Sequence, residues 1–372
     1  MADKPEIAAS KLNTVADFLT EVNTLYKRPI LTHGGKSKLV MSVPRFSSGI
    51  LGLDEALGGG WPLGRVALVA GEFSTGKTEL AMQAMKSIQE YDHATKVHKL
   101  LMPEGAPFTP GKTLWIDVEN AFDYEWAAKK GINIDGHIFA RPETSEEVID
   151  IVTLALSQNF FDLVVIDSLA AMIPSEELEA SAEDYQMGLA ARLNNKAFRK
   201  WNSQMCKRSS NMLAGSGPML LVLNQFRLKI GKAAMFGDPR TTPGGQGQGF
   251  CASVLIYTRG STYDSKDDAV MEAVELGGIV FKNKLATPKQ NFAYSLQLKK
   301  GANLDAGELD NLQQLTKRGK ELKLVVKNTD VGYTFAGRSY RTLEELQQIM
   351  KADPNLKIKL WRSIIVAGGG KV

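Results

Sequence analysis

Cysteine is scarce in this chain, long apolar runs are missing, and nothing at the start resembles a leader. Cys206 and Cys251 are the only cysteines among 372 residues. A lone pair excludes a disulfide framework and a cysteine-built zinc site, and it argues for a reducing cytoplasm. No apolar run approaches the ~20 residues that a membrane span needs, so no membrane partner is expected. The start, Met1-Ala2-Asp3-Lys4-Pro5-Glu6, has neither a basic segment nor an apolar one after it, which argues against a secretory signal. The four histidines, His33, His93, His98 and His137, form no metal-ligand spacing. His93 and His98 stand in a polar stretch and read as solvated. No internal repeat of fixed period is visible.

What remains is ordinary soluble-protein composition, 44% hydrophobic and 23% charged. That is enough for one large α/β core with small appendages. The formal net charge is +4, and it is unevenly placed. Residues 301–372 hold 12 Lys/Arg against 8 Asp/Glu, whereas residues 1–300 balance at 33 of each. A basic C-terminal region points weakly to a polyanion; an ordinary solvated surface fits the charge equally well.

The strongest local signal is Gly71-Glu72-Phe73-Ser74-Thr75-Gly76-Lys77-Thr78, which reads G-x-x-x-x-G-K-T. Before it, Arg65 to Ala70 is an apolar run suited to a buried strand; after it, Glu79 to Ile88 carries apolar residues at helical spacing. Strand, glycine loop and helix start form the context a phosphate-binding loop requires. Glycines let backbone N–H groups turn inward around phosphate oxygens, and the helix N-terminus adds its positive end. Lys77 would reach the β- and γ-phosphates, and the Thr78 hydroxyl would ligate Mg²⁺.

Along the chain, Leu12, Val15, Phe18, Leu19, Val22 and Leu25 recur at three and four, a helix pattern. Residues 29–45 read as a linker with one short strand, Leu39–Val43. Residues 92–112 read as a polar surface insertion. Thr113–Glu119, Phe161–Ser168 and Met219–Gln225 read as buried strands, each ending in a polar residue. Thr144 and Glu147 form a capping box ahead of a helix. Met187 to Trp201 reads as helical. Ser253–Tyr257, Ile279–Phe281 and Phe292–Leu296 add further strands. The order predicts an α/β fold, a mostly parallel twisted sheet with an antiparallel extension. In the C-terminal region the pattern predicts a helix over Leu343–Met350 and strands over Leu322–Val326 and Ile358–Ile365.

Asp167 ends an apolar run, as a Mg²⁺-holding carboxylate beside a phosphate loop does. Glu119 ends a neighbouring strand, where a carboxylate can orient and deprotonate an attacking water. Gln225 ends a third, where an amide could sense a γ-phosphate. Taken without the phosphate loop, Glu119 reads as a surface acid and Gln225 as a strand-end polar residue. Arg227, Lys229 and Arg240 offer phosphate contacts, and Leu228 and Ile230 could wedge between bases. The tract Gly244–Gly249 reads by itself as a flexible loop that orders on ligand arrival.

These positions carry a resemblance. Asp117-Val118-Glu119-Asn120-Ala121-Phe122-Asp123 resembles the segment that holds the catalytic glutamate of RecA recombinases. Met187-Gly188-Leu189-Ala190-Ala191-Arg192 is similar to the end of their first DNA-binding loop. Asn224–Gly231, Met235–Gly237 and Thr241–Gly245 are similar to the second loop, and Phe281–Lys284 to a late core strand. The similarity is ordered and runs from Phe46 to Leu298. Departures exist: two extra residues near Lys232–Ala234, Gly249 where the family pattern has a lysine, Trp126 in place of a tyrosine, and no acidic C-terminal tail.

The resemblance implies a RecA-type P-loop ATPase core over residues 46–300. Residues 1–45 would be a polymerisation helix and linker, and residues 301–372 a basic C-terminal α+β domain. It implies ATP and Mg²⁺ as cofactors, with Gly71 to Glu79, Asp167 and Ser168 at the nucleotide and Trp126 against the adenine. Glu119, Lys77 and Gln225 would serve catalysis, and Lys282 and Lys284 would reach a neighbour's ATP. Met187, Gly188, Arg192 and Arg199 would line single-stranded DNA, as would Arg227, Leu228, Lys229, Ile230, Thr241, Thr242, Gly244 and Gly245. The implied activity is a DNA-dependent ATPase that filaments on single strands and exchanges them with homologous duplex. Single-strand-binding and loader proteins would be its partners. The alternatives are a ring helicase of the same fold and a non-exchanging, ATP-switched mediator.

Overall fold

The computed structural model describes residues 14–25, 43–158, 160–180, 188–211, 217–228, 240–245, 247–260, 272–301, 304–329 and 331–371. Helix α1 spans Val15–Leu25. The short strands β1, Arg45–Phe46, and β2, Trp61–Pro62, pair antiparallel around helix α2, Leu51–Leu57. Strand β3, Val66–Gly71, runs into the phosphate loop and helix α3, Lys77–Ile88. Next come β4, Thr113–Asp117; α4, Tyr124–Lys129; β5, Ile138–Ala140; α5, Ser145–Ser157; β6, Leu163–Asp167; and the short α6, Ser175–Glu179. Helix α7 is Leu189–Asn211, and β7 is Met219–Gln225. Two-residue strands β8, Arg227–Leu228, and β9, Arg240–Thr241, pair antiparallel and are followed by the one-turn helix α8, Gly247–Cys251. Strands β10, Val254–Arg259, β11, Ala273–Asn283, and β12, Gln290–Gln297, complete the core.

The main sheet has eight strands in the order β12-β11-β10-β3-β7-β6-β4-β5. From β10 to β5 every pairing is parallel; β11 and β12 add an antiparallel extension. Burial explains the apolar runs. Every residue of β3, β4 and β6 is buried, as expected of parallel strands covered on both faces. Alternation then divides β3 between two cores. Ala67 and Val69 join α2 and α3 on one face; Val66 and Leu68 join α5 and α7 on the other. The capping box at α5 forms as expected: the Glu147 amide donates to the Thr144 hydroxyl, and the Thr144 amide donates to the Glu147 carboxylate.

The small C-terminal α+β domain contains α9, Asn311–Glu321, a three-stranded sheet of β13, Val326–Asn328, β14, Gly332–Phe335, and β15, Arg338–Tyr340, and helices α10, Leu343–Ala352, and α11, Pro354–Ala367. Its apolar cluster includes Leu51 of α2. Two polar contacts fasten the same junction. The Trp361 indole N–H donates to Asp54 at 2.9 Å, and Arg318 pairs with Glu55 at 2.8 Å. Asp54 is buried, and burial raises its carboxyl above the ordinary carboxylate range.

Several sequence expectations need correction. Ile358–Ile365 is helix, not strand. Leu356, Ile358 and Leu360 alternate with lysines and imitate a period of two, but Leu356, Leu360 and Ile364 are the buried set at helical spacing. Asp353 caps that helix and Pro354 opens it. Leu322–Val326 is mostly a turn, with the strand beginning at Val326. His93 is not solvated: its Nδ1 lies 2.7 Å from the buried Asp162 carboxylate, which also pairs with Lys96. His98 packs edge-on against Tyr91, and burial lowers its pKa. The 92–112 insertion is therefore anchored at the edge of the core. The proposed strand at Leu39–Val43 lies mostly outside the described residues.

His137 gives this fold an acid limit. Its Nδ1 accepts the Thr113 amide at 3.0 Å, its Nε2 has no partner among the described residues, and burial pulls its pKa down to about 4. Protonation would set a donor against the Thr113 donor. The unfolded chain, with a histidine near 6.5, binds that proton first. Stability from this group is complete above pH 6.5 and is lost as pH falls towards 4, by roughly 3 kcal/mol. Urea midpoints measured from pH 7 to 4 should fall accordingly, and His137→Asn should flatten that part of the profile.

Candidate nucleotide site and loop stems

The candidate site is built at the carboxyl ends of β3, β4, β6 and β7, where the helix-covered strands run out. Gly71 is the last residue of β3 and a close-approach position. A Cβ there would lie 1.9 Å from the Thr258 hydroxyl and 2.6 Å from that of Thr75. Those hydroxyls are 2.7 Å apart, and the Thr75 hydroxyl also donates to the Glu72 carbonyl at 2.9 Å, which shapes the loop. Glu72, Phe73 and Ser74 are exposed. Gly76, with φ 79°, caps α3 at its N-terminus. The Lys77 ammonium donates to the Glu72 carbonyl at 2.6 Å. Burial lowers its pKa, and the charges of Glu119 and Asp167 oppose that shift.

The acids assemble around it. The Thr78 hydroxyl donates to Asp167 Oδ2 at 3.0 Å. Burial pushes Asp167 up to about 7; the Thr78 hydrogen bond acts against the shift, and the charges of Glu119 and Asp117 add to it. The Asp167 carbonyl accepts the amides of Val118 at 2.8 Å and Glu119 at 3.2 Å. Glu119 Oε1 takes the Ser168 hydroxyl and the Gln225 amide, the latter at 2.8 Å. Gln225 pairs in register with Gly71, and the next residue, Phe226, donates its amide to the Gly71 carbonyl at 3.1 Å. Lys77, Thr78, Glu119, Asp167, Ser168 and Gln225 thus lie together at one end of the sheet.

Trp126 and Glu79 lie to one side. The Trp126 indole N–H donates to Glu79 Oε2 at 3.1 Å, and the buried Lys130 pairs with the other oxygen. Lys282 and Lys284 do not join this set. They donate to the carbonyls of Gly249 at 2.6 Å and Phe250 at 3.0 Å. Phe250 itself is 74% exposed.

The loop residues divide. Gly188 precedes α7, and Arg192 and Arg199 are exposed upon it. Arg227 and Thr241 are exposed partners at the base of the β8–β9 ribbon. Thr242, Gly244 and Gly245 are half-buried above α7. Met187, Lys229 and Ile230 lie outside the described residues, as do the side chains of Leu228 and Arg240. The glycine tract is not wholly loop, since Gly247–Cys251 is helical.

Sequence reasoning missed Asp117 as a positioning group. Its carboxylate accepts the amides of Ala121 at 3.1 Å and Phe122 at 3.2 Å, and so fixes the turn that carries Glu119. It missed Asn224 and Gln248 as well. A carboxylate two residues before another, at the end of a buried strand, was the signal available for Asp117.

A parallel sheet ending in a phosphate loop, with acids on the adjoining strand ends, defines a P-loop nucleoside triphosphatase. The comparisons agree. A model described as the RecA N-terminal domain matches residues 13–303. The chain is 32% identical over 314 residues to Protein RecA of Methylobacterium radiotolerans, covering 84% of this chain and 78% of that protein. It is 29% identical over 360 residues to Protein RecA of Chloroflexus aurantiacus, covering 96% and 92%. It is 33% identical over 304 residues to Protein RecA 1 of Myxococcus xanthus, covering 81% and 80%. The chain belongs to the RecA family, and its activity is that of a DNA-dependent ATPase in recombination and repair. Among the described residues no helix is long and apolar enough to cross a membrane.

Asp117→Ala should release the turn that carries Glu119. Steady-state kinetics should show turnover down about ten-fold, about 1.4 kcal/mol of barrier, with ATP affinity little changed. Unaltered turnover would remove Asp117 from this role.

Proposed function

We propose that this protein assembles as a helical filament on single-stranded DNA and there drives ATP-dependent homologous pairing and strand exchange. The observation that supports this most is a continuous hydrogen-bonded path. It runs from Glu119, which bonds Gln225, to the buried Asn224 and on to the stem of the second loop. A nucleotide site that acted alone would have no need to be tied to that loop.

In this reading Gly71 to Thr78 cradle the triphosphate and Lys77 neutralises its outer phosphates. Thr78 and Asp167 offer hard oxygen donors, which suit Mg²⁺. The fit is supported by a buried carboxylate pushed up to about 7, a charge that a cation would stabilise. When bound, the ion would offset charge on the β- and γ-phosphates. Glu119, held by Ser168 and Gln225, orients the attacking water and takes its proton. Gln225 changes partner when a γ-phosphate is present. Trp126, pinned by Glu79, borders the base. Lys282 and Lys284 serve the ATP of the next subunit. Arg192, Arg199 and Arg227, with the Thr241–Gly245 backbone, meet the strand's phosphates. Helix α1 exposes Val15 and Phe18, which suits docking on a neighbouring subunit. The basic residues of 301–372 admit the duplex, and single-strand-binding and loader proteins assist assembly.

Electron microscopy with single-stranded DNA and a non-hydrolysable ATP analogue should show helical filaments; closed hexameric rings would sink the proposal. Glu119→Gln should lower turnover about a hundred-fold or more while ATP-dependent DNA binding survives. Turnover equal to wild type would strip Glu119 of its catalytic part.

A further inference from the structure

Among the described residues, carboxamides tie the stem of the second loop to β7 and α7. Asn224, buried at the end of β7, donates from Nδ2 to the Pro243 carbonyl and to Gln248 Oε1, both at 2.9 Å. Its Oδ1 accepts the backbone amide of Gln225 at 2.9 Å. Gln248 is 1% exposed. Its Nε2 lies 2.7 Å from the Pro243 carbonyl, 3.0 Å from the Gly245 carbonyl and 3.1 Å from the Thr242 hydroxyl. From α7, Asn195 Oδ1 accepts the Gly247 amide at 3.0 Å. A Cβ on Gly247 would stand 2.1 Å from that oxygen, so only glycine allows the approach. One residue earlier, Asn194 is buried, and its Oδ1 has no partner among the described residues.

Three segments therefore meet in one neutral cluster: the end of β7 beside Glu119, the stem of the second loop, and the helix that follows the first loop. The cluster can also be re-paired. The Gln248 amide has two N–H bonds for three acceptors within reach, and Asn194, whose side-chain nitrogen stands against Gly244, keeps an acceptor unpaired among the described residues. A shift of the Gln225 backbone can exchange partners without stranding a buried donor, which would cost about 1–3 kcal/mol.

We propose that Asn224, Gln248 and Asn195 are positioning residues that couple the nucleotide state to both DNA loops at once. The coupling rests on the function proposed above. It makes Gln248 the point at which the second loop reads the end of β7, and Asn195 the point at which the same signal reaches α7.

The test uses the full chain and a fluorescent oligothymidylate, titrated with a non-hydrolysable ATP analogue and, separately, with ADP. Fluorescent-nucleotide affinity and thermal melting are measured on the same samples. Gln248→Leu should keep nucleotide affinity within about two-fold. It should weaken DNA binding in the ATP state about ten-fold, the loss expected when buried acceptors go unpaired. DNA binding in the ADP state should not change, so the ratio between the states collapses. Asn195→Ala, on the half-buried face of α7, should do the same to a smaller degree. If both states weaken equally, or the ratio survives in both Gln248→Leu and Asn195→Ala, the relay is wrong. If wild type itself shows no ATP-dependent binding to the oligothymidylate, the proposed function fails and the relay with it.

Discussion

At the carboxyl end of β6, Asp167 bonds two other segments at once. Its side chain takes the Thr78 hydroxyl, and its backbone carbonyl takes the amides of Val118 and Glu119. The first bond fixes the start of α3, and the others fix the turn after β4. Between them they set the distance from the phosphate loop to Glu119. The arrangement comes at an electrostatic cost. Asp167, Glu119 and Asp117 crowd one corner, and burial alone would favour a neutral Asp167. The cation that accompanies a bound triphosphate would supply the positive charge this corner lacks, so on the proposed function ligand binding and relief of the buried acid would be one event.

That corner holds only because the sheet beneath it is rigid. Strands β3, β4, β6 and β7 are buried on both faces and fill two separate cores. Interiors packed at this density are stiff and transmit strain, and a switch within them needs an element with two discrete arrangements. The strands themselves offer none. The polar residues just beyond them do, because their hydrogen bonds can be exchanged at small cost. On the proposed relay, change is confined to the layer where the strands stop. Helix α2, packed on β12, receives the C-terminal domain through Leu51, Asp54 and Glu55, so that domain is fastened to the core at the antiparallel edge of the sheet.

The parts of this design that were legible in the sequence share a cause. A strand buried on both faces must be apolar throughout, and a phosphate loop must have glycine, lysine and a hydroxyl at fixed spacing. β3, β4, β6 and β7 and the residues that end them could therefore be found by reading. The missed parts satisfy weaker rules. Helix α9 buries little beyond Leu315, Thr316 and Gly319, too few apolar residues to print a helical period. Helix α11 alternates leucine and isoleucine with lysine for one stretch and so imitates a strand. His93 looks solvated until Asp162, 69 positions away, proves to be its partner. Gln248 sits in a glycine tract whose composition suggests disorder, and only the fold reveals the acceptors around it.

The choice of amide over carboxylate at the loop stem follows from the same corner. Asp167 lies near neutrality, and a relay of acids next to it would change its pairing with each proton gained or lost. Carboxamides do not titrate in this range, and burying one costs far less than burying a charge. Each also donates and accepts, so a displaced partner on one side can be answered on the other. The constraint this imposes is close approach. Gln248 must reach two backbone carbonyls within 3.0 Å, and Asn195 must reach the Gly247 amide at the same distance. A Cβ at Gly247 would hold the stem off the α7 amide. Gly244, Gly245 and Gly247 are thus a packing requirement of the polar cluster beneath them. Freedom to move is the lesser part of what they contribute.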